Sequence, residues 1–119
     1  MAWEFDNERP IYTQLLERIQ MMIISGFYKP GERLPSVREF ASEACVNPNT
    51  MQRAMLELER EGLVYSQRTS GRLITEDKDL IERTRNNIAM DKIKEFIKTM
   101  ENLGYSKKDI AEMINKFLV

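Results

Sequence analysis

Histidine is absent from this chain and cysteine occurs once, at Cys45. Catalysis by Ser-His-Asp or Cys-His groups, zinc sites built from Cys and His, and internal disulfides are excluded together. Long hydrophobic runs are missing too: the longest aliphatic and methionine stretch, Met21 to Ile24, falls far short of the roughly 20 residues that a bilayer-spanning helix needs. The N-terminal MAWEFDNERP is acidic and lacks an apolar centre, so it does not read as a secretory signal, and a cytoplasmic location is expected. Neither charge dominates, with 18 basic against 19 acidic residues and a net charge of −1. No global basic field therefore announces a nucleic acid, and only the local distribution of charge can.

What is present is a chain of 119 residues, 42% hydrophobic and 31% charged, which is ordinary for one folded unit or a small domain with an appendage. The first periodic segment runs from Pro10 to Ser25, with Ile11, Leu15, Ile19, Met22 and Ile23 at helical spacing and Gly26 as its stop. Pro30-Gly31 and Leu34-Pro35 mark an extended connector. Ser36 and Glu39 then form an S-x-x-E capping box for a short helix through Ala44, with Val37, Phe40 and Ala41 inward. Asn47 and Pro48 start a second helix whose Met51, Ala54, Met55 and Leu58 make an inner stripe ending before Gly62. Met21, Met22, Met51 and Met55 are expected in the core, and Cys45 is expected to pack at the turn between the two helices.

After Gly62 the period changes. Leu63 to Tyr65 and Leu73-Ile74 flank Gln67-Arg68-Thr69-Ser70-Gly71, which predicts a hairpin with a five-residue tip. From Asp77 a long helical segment runs to Leu103-Gly104, with Asn86-Asn87 as a candidate break. Ser106 and Asp109 cap a last helix. The fold expected is mainly α with one small β-hairpin: a winged helix-turn-helix over residues 1–75, followed by a helical segment over 76–119.

Two windows, 44–56 and 62–75, contain no acidic residue and hold Arg53, Arg68 and Arg72. The outward face of the second helix of the pair presents Asn49, Gln52, Arg53 and Leu56. Amides bond adenine in two places and guanidinium does the same to guanine, so this face is chemically suited to base edges. Glu57, Glu59 and Glu61 occupy only the far half, where they would repel phosphates, which directs the N-terminal half into a groove. Asn47, Asn49 and Thr50 stand where a helix N-terminus can hold phosphate. Arg38 is placed to clamp the backbone or reach a base, and Arg68 and Arg72 flank a small-residue tip suited to the minor groove. The residues alone leave the alternative of a solvated polar face open, and likewise that of solvated arginines at the hairpin. Apolar residues of the tail, Ile88, Ile93, Phe96, Ile97, Met100, Ile110, Met113, Ile114 and Phe117, either fold back on their own winged helix or pair two subunits.

The chain resembles the GntR family of bacterial transcription regulators, and within it the short YtrA-type branch. The resemblance is carried by Pro10-Ile11-Tyr12 with Gln14, Gly26, Pro30-Gly31-Glu32, Leu34-Pro35-Ser36 with Arg38, Val46 to Thr50, Arg53-Ala54, Leu58-Glu59 and Glu61 to Val64. It implies a homodimer on a two-fold double-stranded DNA operator, with recognition helices in the major groove and wings near the minor groove. Position by position it carries DNA binding onto Arg38, Asn47, Asn49, Thr50, Gln52 and Arg53, and the wing tip onto Thr69, Ser70 and Gly71; Ser36, Arg68 and Arg72 complete the expected DNA-binding set. Family wings commonly read Gly-x-Gly, whereas Thr69, Ser70 and Gly71 stand here. In this branch a short helical tail pairs the subunits, the tail is too short for a large effector domain, and regulated genes often include ATP-binding cassette transporters. A repressor without cofactor, metal or catalysis is the expected function. A small-molecule effector between winged helix and tail is an open partner with no charged cluster to name as its site. The rivals are a protein-interaction adaptor, since winged helices also serve that role, and a carboxylate-based hydrolase, for which no acid lies among convergent polar groups.

Overall fold

A computed structural model describes residues 3–119. Among the described residues, five helices and one hairpin follow in the order α1 (Ile11–Ile24), α2 (Val37–Ala44), α3 (Pro48–Arg60), β1 (Val64–Gln67), β2 (Gly71–Ile74), α4 (Lys78–Asn102) and α5 (Lys107–Leu118). This is the winged helix-turn-helix with C-terminal helices that the patterning predicts. The chain divides into two compact units, one running to Arg83 and one from Thr84 to Val119. The division falls inside α4, whose first turn serves the first unit. Ile81 is buried, and a Cβ added at Gly62 would stand 3.2 Å from the Leu80 side chain.

In the first unit the core is the stripe that α3 turns inward. Met51, Ala54, Met55 and Leu58 are all 0% exposed, together with Leu15 and Ile19 of α1 and Phe40 of α2. Phe40 meets Trp3 edge-on at 5.4 Å between ring centroids and Tyr28 at 6.1 Å. Gln14 latches the N-terminal segment to α1: its Oε1 accepts from the Asp6 N–H at 2.7 Å and its Nε2 donates to the Asp6 carbonyl at 2.7 Å. Such paired amide bonds satisfy backbone groups that no helix or strand serves.

The helix ends are set by local chemistry. Ser36 and Glu39 form the expected capping box, and Asn47 caps α3 with Pro48 at its first position. At the far end of α3, Leu63 N–H reaches the Leu58 carbonyl at 3.1 Å and Gly62 N–H reaches Glu59 at 3.0 Å. Gly62 holds φ at +83°, the left-handed value that such a terminus requires. The same arrangement ends α2, but with Cys45 at φ +59° in glycine's place. Its left-handed backbone turns the side chain outward, so Cys45 is exposed rather than packed at the turn. Met21 is also outside the core at 52% exposure, being two positions off the Leu15, Ile19 and Ile23 stripe.

Val64, Tyr65, Ser66 and Gln67 pair antiparallel with Ile74, Leu73, Arg72 and Gly71. Pairing therefore extends to Gln67 and Gly71 and leaves a tip of three residues, 68–70, rather than five. The connector joins this sheet: Leu34 N–H bonds the Arg72 carbonyl at 2.9 Å and Ile74 N–H bonds Glu32 at 2.8 Å, with Arg33 opposite Leu73.

In the second unit α4 is continuous through Asn86-Asn87. Asparagine lowers helix propensity by only about 0.7 kcal/mol or less and removes no backbone donor, so without Gly or Pro the helix is not interrupted. Gly104 ends it, and Ser106 with Asp109 caps α5 as expected. Ile110 is buried, whereas Ile93, Phe96, Met113, Ile114 and Phe117 are exposed and Ile88, Ile97 and Met100 are half-buried. Phe96, Met100, Met113, Ile114, Phe117 and Leu118 line an open apolar groove of about 380 Å³.

Removing the Phe40 ring leaves a void beside Trp3 and Tyr28 in the core. Phe40→Ala is expected to lower unfolding stability by about 3–5 kcal/mol in a urea titration; a loss below about 1 kcal/mol would mean that the site collapses or is not core.

Candidate nucleic-acid interface

The N-terminal half of α3 presents polar groups because its other face is fully consumed by the core. Asn49 and Arg53 are exposed, Thr50 and Gln52 are half-buried, and Leu56 stands outward at 50% exposure. Asn47 serves the helix itself, since its Oδ1 accepts from the Asn49 N–H at 2.7 Å. The Ser36 hydroxyl likewise accepts from Glu39 N–H at 3.1 Å while Ser36 N–H donates to Glu39 Oε1. That backbone donor holds the Glu39 carboxyl below its ordinary range. Arg38 lies on the exposed side of α2, clear of this cap.

The acids in the far half of α3 are each engaged. Glu57 bonds Arg60 at 2.6 Å and Glu61 accepts from Gln20 at 2.7 Å. Glu59 accepts from the Ser66 hydroxyl of β1 and from Arg72 Nε of β2 at 2.7 Å. This three-residue node fastens the wing to α3, and it gives Arg72 an internal role beside any contact with a ligand. The Ser66 bond first and Arg72 after it hold the Glu59 carboxyl below its ordinary value, against the opposing effect of burial. At the tip Arg68 and Thr69 are exposed, and Gly71 opens β2 at φ +76°.

Between the connector and the wing lies a cleft of about 310 Å³ lined by Arg33, Ser36, Gln67, Gly71 and Arg72 among others. Arg33 and Gln67 are not legible as site residues in the sequence. No motif marks them, since they meet only through the pairing of the connector with β2. Tyr12 is legible as part of the Pro10-Ile11-Tyr12 string but not as a neighbour of α3. Its ring lies 3.7 Å from the Arg53 guanidinium carbon. The site thus gathers α2, the start of α3, the connector and the wing in one unit, whereas the apolar residues of the tail belong to the other.

The sequence model of the bacterial regulatory proteins of the gntR family matches residues 11–74, from the first turn of α1 to the end of β2. This chain belongs to the gntR family. The HTH-type transcriptional repressor YtrA of Bacillus subtilis is 33% identical over 92% of this chain and 85% of its own length, so the likeness to the short YtrA-like members includes the helical tail. A GntR family transcriptional regulator from Listeria monocytogenes has the same fold, with a TM-score of 0.87 and 42% identity over 94% of this chain and 98% of that one. AraR(DBD), solved in complex with operator ORX1, matches 63% of this chain and 92% of its own with a TM-score of 0.54 and 25% identity. The gntR family consists of transcription regulators rather than enzymes, and this member is a DNA-binding transcriptional regulator. Among the described residues no helix is long and apolar enough to cross a membrane.

The Glu59 node carries a signed pH dependence. A carboxyl whose folded pKa is lowered adds stability above its unfolded value and loses it as pH falls through the folded value. The unfolding midpoint of the parent chain is expected to exceed that of Glu59→Gln by a constant margin above the ordinary value of 4.5, and the margin is expected to shrink as pH falls below it. A margin that does not depend on pH would show that the ionised carboxylate is not what fastens the wing.

Proposed function

We propose that the protein is a homodimeric repressor that occupies a near-palindromic operator, reading bases with α3 and holding phosphates with α2 and the wing. The observation that carries this reading is the exposed, acid-free N-terminal half of α3, in the same unit as a cleft between connector and wing lined by Arg33 and Arg72. Asn49, Gln52 and Arg53 supply donors and acceptors for base edges. Arg38 and the N-terminus of α3 hold the backbone, with Asn47 acting mainly as the cap that aims that terminus and Thr50 beside it. Arg68 and Thr69 at the tip, with Gly71 behind them, approach the adjacent groove, and Arg72 supports the wing through Glu59.

Dimerisation is assigned to the second unit. Its exposed Phe96, Met113, Ile114 and Phe117 line one open apolar groove and Ile93 is exposed on α4 as well, more than isolated surface residues account for. Pairing there would give one particle two α3 helices, one for each half-site. The domain boundary belongs with this assignment: residues 1–75 bind DNA and 76–119 pair the subunits, the first turn of α4 fastening the segment to the winged helix. The relative named a transcriptional repressor supports the sign of regulation, and control of a transporter operon is the target that the YtrA-like branch points to. An effector that releases the DNA belongs to the same proposal, without assigned residues.

Phosphate and base contacts separate by their response to salt and sequence. Arg38→Ala is expected to weaken binding to all duplexes alike and to reduce the slope of log affinity against log salt by about one unit. Gln52→Ala is expected to relax preference at one position, removing about 1–3 kcal/mol of discrimination. Titration of matched and mismatched duplexes at several salt concentrations reads both. An unaltered salt slope for the first variant, or unaltered base preference for the second, would contradict its assigned role.

A further inference from the structure

We propose that Tyr12 is a positioning residue for Arg53, holding the guanidinium by its face so that its donor edge is ready for a base. The inference rests on the reading of Arg53 as a base contact. Tyr12 is the second residue of α1 and half-buried, while Arg53 is exposed near the middle of α3. The two helices pack together, and the guanidinium carbon lies 3.7 Å from the ring centroid, closer than the 4.8 Å of Arg18 over Trp3.

The type of contact matters. Arg9, Arg60 and Arg72 spend donors on carboxylates at 2.9, 2.6 and 2.7 Å. Arg53 has no carboxylate partner among the described residues and is held by a π face instead. Stacking covers the plane of the guanidinium and uses none of its in-plane N–H groups, which are the groups that bond guanine O6 and N7. A long side chain also loses rotamer freedom when it docks, and a stack formed before DNA arrives removes part of that cost. The ring thereby makes α1 a contributor to sequence preference.

The test uses duplexes that the parent protein selects from a random-sequence library. Tyr12→Phe keeps the ring and is expected to match the parent in affinity and preference. Tyr12→Leu keeps apolar bulk without the π face. It is expected to weaken selected duplexes about two- to five-fold, to leave unselected duplexes unchanged, and to relax the same base position as Arg53→Ala. In the Tyr12→Leu, Arg53→Ala double variant the first substitution is expected to add no further loss. Tyr12→Met, run in parallel with thermal melts, guards against a packing defect peculiar to leucine and is expected to behave as leucine does.

If Arg53→Ala leaves base preference intact, Arg53 does not read a base and the underlying reading fails. If Arg53→Ala relaxes preference while Tyr12→Leu does not, the positioning role is overturned. Tighter binding by Tyr12→Leu would overturn it too, because the ring would then be holding Arg53 away from DNA. Equal weakening on all duplexes together with a lowered melting temperature would assign Tyr12 to packing and would also overturn the proposal.

Discussion

The two-sidedness of α3 is the constraint on which the rest of the molecule depends. Met51, Ala54, Met55 and Leu58 are fully buried against α1 and α2, which fixes the roll of the helix about its axis. Burial of Met51, Met55 and Leu58 contributes about 1.5–3 kcal/mol each, so no contact on the outer face can rotate the helix against them. Asn49, Gln52 and Arg53 are therefore presented by the core and not by their own interactions. Phe40 and the Gln14 latch serve the same end, since they hold the elements against which α3 is seated.

Charge acts locally in this protein. A net charge of −1 gives no long-range attraction for phosphate, yet the acids that would spoil the interface are engaged. Glu57 is paired with Arg60, Glu61 with Gln20, and Glu59 with the wing. The last of these couples two parts of the proposed interface, because α3 and the hairpin share one carboxylate. Arg53 stands apart from this pattern, since an aromatic ring steadies it without neutralising it.

Much of the fold is legible in the sequence because it is set by short-range rules. Ser36 with Glu39, Asn47 with Pro48, and Ser106 with Asp109 announce three helix starts that the structure reproduces. The α3 stripe and the change of period after Gly62 announce the winged helix. What stays hidden depends on pairing across the chain or on backbone sign. Arg33 joins the wing through a bridge to Leu73, far along the chain, and Arg72 is drawn to Glu59 by a register that pattern alone does not specify. Cys45 is turned outward by a left-handed φ that composition assigns to glycine, and Asn86-Asn87 read as a break although nothing in their chemistry stops a helix. The outward residues of α3 follow from periodicity, whereas the ring that steadies Arg53 lies on another helix.

The central claim is that two copies of this chain read one symmetric DNA site. Its most direct test is to incubate the purified protein with sheared DNA from its source genome, recover the bound fragments at moderate salt, and search them for a shared sequence. The account predicts enrichment of a site with two-fold symmetry near a promoter, lost when Gln52 and Arg53 are replaced by alanine. Folded protein that enriches no common site at low salt, or one that enriches only an asymmetric half-site, would contradict it.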